Sequence, residues 1–161
     1  MVSRGWPDDW QERKDGHDCV LCSSLGHGDN DHTIAIAELP YSEVWLERRS
    51  RLPGYCIVVW RFGHVAEPTE LDLESATGYW HDVLAVSRVL QAEFHPVKMN
   101  LLTLGNSVPH LHTHVVPRYI GDPAPGGPIA WEAMFAEEFT DPDVLRLQAD
   151  AIRRGLSALT R

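Results

Sequence analysis

Apolar and polar residues alternate through HTIAIAEL (32–39) and SEVWLE (42–47), the pattern of short half-buried strands, with Pro40 between them as a turn signal. YCIVVWRF (55–62) is a continuous apolar run rich in β-branched residues and reads as a buried strand. Between Pro68 and Pro96 the spacing changes: apolar residues at 76, 80, 83, 84, 90 and 94 follow a helical period. Thr69 followed by Asp72 resembles a capping box at its start, and Gly78 inside it costs about 1 kcal/mol relative to Ala. NLLTL (100–104) is a fourth strand candidate, and HLHTHVVPR (110–118) is the fifth, because Thr113, Val115, Val116 and the nearby prolines favour extended backbone. GDPAPGGP (121–128) reads as a loop. Asp141 before Pro142 then opens a closing helix with Leu145, Ala149, Ile152, Leu156 and Leu159 on one face. Five strands, one long central helix and one terminal helix predict an α+β fold with a mainly antiparallel sheet.

The whole chain, 1–161, is expected to form one domain, with 1–16 as a polar N-terminal extension anchored by Trp6 and Trp10 and 121–161 as a variable C-terminal segment. A formal net charge of −9 argues against a general nucleic-acid binder, since backbone affinity comes from clustered Lys and Arg. It leaves room for a small phosphorylated ligand in a locally positive pocket. No apolar run approaches a membrane span, and MVSRGWPDDWQERKDG lacks the apolar stretch of a signal peptide, so a soluble cytoplasmic domain is expected. Three cysteines do not make a disulfide framework. Cys19 and Cys22, as Cys-x-x-Cys, leave zinc, redox chemistry or coincidence open, although the βαβ setting of a redox pair is missing. Cys56, inside an apolar strand, reads as core.

His110, His112 and His114 occupy alternate positions. On a strand they point the same way, spaced by roughly 7 Å, with Leu111, Thr113 and Val115 on the other side. Burying three imidazoles is unfavourable unless each finds partners, which makes chance placement a poor explanation. Two chemistries remain. Alternate histidines can chelate one metal, though no further carboxylate stands at the usual offsets. Alternatively, a neutral imidazole can attack phosphorus near pH 7, with a backbone acceptor on its second nitrogen fixing the tautomer.

HLHTHVV resembles the His-φ-His-φ-His-φ-φ signature of the histidine triad (HIT) superfamily of nucleotide hydrolases and transferases, apart from Thr113 at one apolar position. MNLLTLGNSVPHLHTHVVPRY is similar to the strand–loop–strand that builds that family's site, and YCIVVWRFGHV to the strand leading to its KxH segment, so the resemblance spans roughly 17–120. It implies a HIT-like fold of about five antiparallel strands and a hydrolase that cleaves a phosphoanhydride or phosphoramidate bond at the α-phosphorus of a nucleoside phosphate. His112 would be the nucleophile, forming a nucleotidyl-histidine that water resolves. His114 would bind phosphate oxygen, the His110 carbonyl would orient His112, and Asn100, Asn106, Ser107 and Arg118 would contact substrate. Bacterial relatives with a cysteine pair further imply one structural zinc per chain on Cys19, Cys22, His64 and His110, and a homodimer. The alternatives are a nucleotidyltransferase or phosphorylase using the same intermediate, a nucleotide-binding module with little turnover, and a zinc hydrolase ligated by the three histidines.

The chain also departs from the family. Asn106 stands where many relatives carry Gln, and the acidic residue that holds ribose falls near Arg48, with Glu47 one position away. Since one position on a strand changes the face, nucleoside recognition would then need another loop. GDPAPGGPIAW (121–131) is a candidate specificity segment. The alternative is a plain surface loop covered by Trp131.

Overall fold

The computed structural model describes residues 5–159, apart from the side chains of Trp131 and Glu132. Two short helices, α1 (Trp10–Lys14) and α2 (Val20–Ser24), precede strands β1 (Thr33–Glu38), β2 (Ser42–Glu47) and β3 (Cys56–Trp60). The long helix α3 (Leu73–Phe94) leads to β4 (Lys98–Leu102) and β5 (His112–Arg118), and α4 (Pro142–Leu159) closes the chain. The five strands form one sheet in the order β1-β2-β3-β5-β4, antiparallel at every pairing. The expected α+β architecture is therefore the one observed.

Period-2 alternation explains the two faces of this sheet. Val44 and Leu46 of β2, Cys56, Val58 and Trp60 of β3, and Val115 of β5 enter the main core with Tyr79, Val83, Val86 and Leu90 of α3 and Ile152 of α4. The opposite face carries Trp45, Glu47, Ile57, His112 and His114. The two long helices pack on the other face, and a second small core of Leu52, Tyr55, Val116 and Met134 covers one end of this one. Thr113 occupies its apolar position at little cost, because its hydroxyl meets those of Tyr79 and Thr103, each at 2.8 Å.

Several local expectations shift. The reciprocal capping box is made by Glu67 and Glu70 around a 3₁₀ turn at Pro68–Glu70, and Asp72 alone caps α3 by accepting from the Ser75 N–H. Gly78 is needed for packing: a Cβ there would land inside the Tyr41 ring. β4 begins two residues before the expected strand and ends before Thr103. Leu159 is exposed, whereas Leu145, Ala149, Ile152 and Leu156 are buried as the spacing requires. Trp6 and Trp10 do not anchor the N-terminal segment in the core. They pack on each other at 4.6 Å, with Trp6 63% exposed. Among the described residues, no helix is long and apolar enough to cross a membrane.

Candidate functional site

The three histidines do not form one uniform row. β5 starts at His112, so His110 sits before the strand, after Pro109. Its fully buried ring turns towards the N-terminal cysteines. His112 and His114 remain adjacent on the face opposite α3, their rings edge to face at 4.9 Å.

Hydrogen bonds define the edge that each ring presents. His112 Nδ1 lies 2.5 Å from the His110 carbonyl, which can only accept, so Nδ1 carries the proton and Nε2 keeps its lone pair. His114 Nδ1 lies 2.7 Å from the Tyr55 hydroxyl. Tyr55 is fully buried, burial pushes its phenol well above the ordinary range, and the phenol therefore stays protonated. His114 Nδ1 is the one hydrogen-bond partner of this hydroxyl among the described residues, so the buried O–H is satisfied by donating to it, which leaves the proton of that ring on Nε2. Burial lowers the pKa of His112 against the opposing pull of the His110 carbonyl, and burial with the nearby His112 brings His114 down to about 3. At neutral pH the pair thus offers a nucleophilic nitrogen beside a neutral N–H donor.

A cavity of about 340 Å³ opens at these rings. Its lining includes Asn106, Ser107, Ile57, Leu104, Phe135 and Glu47 besides the two histidines and Tyr55. Glu47 therefore lies on the site face, one residue from the expected position. Its carboxylate accepts from the Arg49 N–H at 3.1 Å, and burial raises its pKa despite that bond. Arg48 instead bonds the Thr33 carbonyl and Asp29. Sequence reasoning missed Tyr55 and Phe135. Tyr55 had a local signal, as the residue two before Ile57 on a strand that pairs Ile57 with His114. Phe135 had none.

Arg118 and Asn100 are brought to each other but not to His112. The Arg118 guanidinium meets both Asp122 oxygens at 2.5 and 3.0 Å, Asn100 Oδ1 at 2.6 Å, and the Ala124 and Gly127 carbonyls. Fully engaged and buried, it serves as a clamp that folds the 121–128 loop back onto β5. That loop does not line the histidine cavity. The cover expected from the Trp131 side chain lies outside the described residues.

Behind the histidines is a second cluster. One donor atom from each of Cys19, Cys22, His64 and His110 lies within 4.8 Å of the others. Cys19 caps α2, which brings Cys22 one turn later to the same side. His110 Nδ1 is 3.5 Å from Cys19 Sγ and 3.3 Å from Cys22 Sγ, and His64 Nδ1 is 3.5 Å from Cys22 Sγ. Sulfur and nitrogen on one tetrahedral zinc would stand roughly 3.6 Å apart, so these spacings fit. The outer nitrogens fit as well. His110 Nε2 donates to the Trp60 carbonyl at 2.8 Å and His64 Nε2 to the Lys14 carbonyl at 3.0 Å, leaving both Nδ1 lone pairs facing the thiols. Gly16, at φ +92°, lets the N-terminal segment cross His64, where a Cβ would stand 2.9 Å from the ring. No described cluster gathers the three triad histidines on a common point.

An antiparallel sheet on two helices, with paired histidines on the opposite face, puts the chain in the α+β class. The sequence profile of the HIT domain matches residues 29–121, more than half of the chain, and the chain belongs to the HIT family. It is 26% identical over 142 residues to Protein hit of Bacillus subtilis (strain 168), an alignment covering 84% of this chain and 93% of that one. A histidine triad protein from Bradyrhizobium japonicum superposes with a TM-score of 0.70 at 30% identity, over 78% of this chain and 92% of that chain. A Zn-bound histidine triad family protein from Mycobacterium smegmatis has a TM-score of 0.64 at 23% identity, over 89% and 96% respectively.

Proposed function

We propose that the protein is a nucleotide hydrolase that cleaves a phosphoanhydride or phosphoramidate bond at the α-phosphorus of a nucleoside phosphate through a covalent nucleotidyl-histidine. The observation that carries this reading is the bond from His112 Nδ1 to the His110 carbonyl, which leaves Nε2 basic on the wall of the cavity. In the first step the Nε2 lone pair forms an N–P bond while the bond to the leaving group breaks, the leaving group departing with the electron pair. In the second, water attacks phosphorus, the Nε2–P bond breaks, and the ring regains its lone pair. The His114 Nε2–H donates to a non-bridging phosphate oxygen, where charge builds in both transition states. Ser107 and Asn106, on the loop before β5, contact the leaving group. Glu47 accepts the ribose hydroxyls.

Cys19, Cys22, His64 and His110 would hold one zinc ion. With four protein ligands and no open position its chemistry would be structural, pinning the N-terminal segment to the residue whose carbonyl orients His112. We further propose a homodimer, supported by the open edge of β4, where Val97 and Leu101 are exposed.

Phosphorus stereochemistry tests the two-step course. A substrate chiral at the α-phosphorus, hydrolysed in isotopically labelled water, should yield product with retained configuration, from two in-line displacements. Inversion would mean direct attack by water and would remove His112 as the nucleophile.

A further inference from the structure

The C-terminal segment that follows the family-matched region runs back along the turn between β2 and β3. Its backbone pairs with that turn: Arg51 N–H to the Met134 carbonyl at 2.9 Å, Ala136 N–H to the Arg49 carbonyl at 2.7 Å, and Thr140 N–H to the Arg48 carbonyl at 2.9 Å. Two arginine side chains reinforce it. Arg49 donates to the Ala136 and Glu137 carbonyls, and Arg51 Nε to the Phe135 carbonyl at 2.6 Å. Met134 is buried in the second core, which fixes the register. The next residue, Phe135, bridges Ser50 and lines the histidine cavity, its ring 6.1 Å from that of Tyr55. The Arg49 N–H held by Glu47 lies in this same turn, and Phe135 and Glu47 line one cavity with Asn106 and Ser107, which a different loop contributes.

We propose that Phe135, delivered by this strap from outside the HIT domain, is a specificity-determining residue that stacks on the nucleobase of the substrate. The proposal rests on the nucleotide reading above. Phe135 and Glu47 line the same cavity as His112 and His114, so a base carried on a ribose held by that carboxylate would share the enclosure with this ring. An aromatic face gains affinity from any base and little from a bare sugar.

The test compares AMP with ribose 5-phosphate by calorimetry on wild type, Phe135→Ala and Phe135→Leu, with thermal melts to confirm that each folds. Wild type should bind AMP more tightly than ribose 5-phosphate. Phe135→Ala should weaken AMP by about tenfold, the scale of one aromatic stack, and leave ribose 5-phosphate unchanged, with Phe135→Leu between the two. Equal loss for both ligands, no loss for either, or no preference for AMP in wild type overturns the proposal. Nucleotidyl adduct formation, measured on the same wild-type protein, keeps the two claims apart. An adduct with base-blind binding sinks the role of Phe135 alone. Base-selective loss without any adduct sinks the hydrolase reading alone.

Discussion

The Tyr55 hydroxyl donates to His114 Nδ1 across 2.7 Å, and this bond decides which edge of that imidazole reaches the cavity. Tyr55 belongs to the strand side of the second core and His114 to β5, so the packing of Tyr55 against Leu52, Val116 and Met134 holds the donor in place. With the Nδ1 lone pair occupied, the Nε2–H is committed to the phosphate side. Replacing Tyr55 by Phe keeps the buried ring and removes only the donor. The expected result is a fall in kcat of about tenfold with KM little changed, corresponding to roughly 1–2 kcal/mol of transition-state stabilisation. Ring ¹⁵N shifts of His114 should show mixed tautomers in the variant and one tautomer in wild type. A normal kcat with an unchanged ¹⁵N spectrum would remove Tyr55 from the mechanism.

Removal of metal should act on stability first. A strong chelator, or Cys22→Ser, should lower the melting temperature by about 5 °C or more and expose the segment around α1 and α2 to protease, because binding at a closed four-ligand site is coupled to folding. Metal analysis of the untreated protein should give one zinc per chain. Instant loss of turnover on chelation, with the melt unchanged, would favour a catalytic metal instead.

Arg118, expected among the substrate contacts, is held in a clamp. Its partner Asp122 is four residues away around a turn, and the guanidinium also takes Asn100 and two loop carbonyls, so nothing is left for substrate. Asp122→Ala leaves that cation buried without its counter-charge, and should destabilise the fold by about 3–5 kcal/mol. Below the melting temperature, adduct formation should persist. The hydrogen bonds and charge of Arg118 hold the Asp122 pKa down to about 2, below its ordinary value of 3.8. A carboxylate with a depressed folded-state pKa contributes stability that is present above about pH 4 and lost as pH falls towards 2. Acid titrations of the melt should show that loss in wild type and a smaller one in Asp122→Asn.

Gly78→Ala is predicted to destabilise, against helix propensity. The substitution should gain about 1 kcal/mol if only the backbone of α3 mattered. The added methyl would overlap the Tyr41 ring, and the overpacking is expected to cost about 1–3 kcal/mol net, read as a lower melting temperature. A stabilised variant would show that Tyr41 moves aside freely.

How much was legible varies with the range of the interactions. Strand alternation and the helical period gave the sheet and both main helices, because each is written in local spacing. Alternation also put His112 and His114 on one face. It failed at His110, where Pro109 delays the strand and the ring is drawn to Cys19 and Cys22, about ninety positions earlier in the chain. The side of the sheet taken by Glu47 was misjudged through a one-residue shift in its expected place, and the strand pairing corrects it. Phe135 was out of reach. Its position depends on Arg49 and Arg51 binding carbonyls more than eighty residues away, and no periodicity announces such contacts.

The most direct measurement of the central claim is intact-mass spectrometry of the protein mixed at low temperature with diadenosine polyphosphate, an adenosine phosphoramidate or an adenylated sugar. Wild type should gain one adenylyl group, the adduct should map to His112, and His112→Ala should gain none under the same conditions. Turnover by wild type with no adduct on any substrate, or an adduct that survives in His112→Ala, would contradict nucleophilic catalysis by His112.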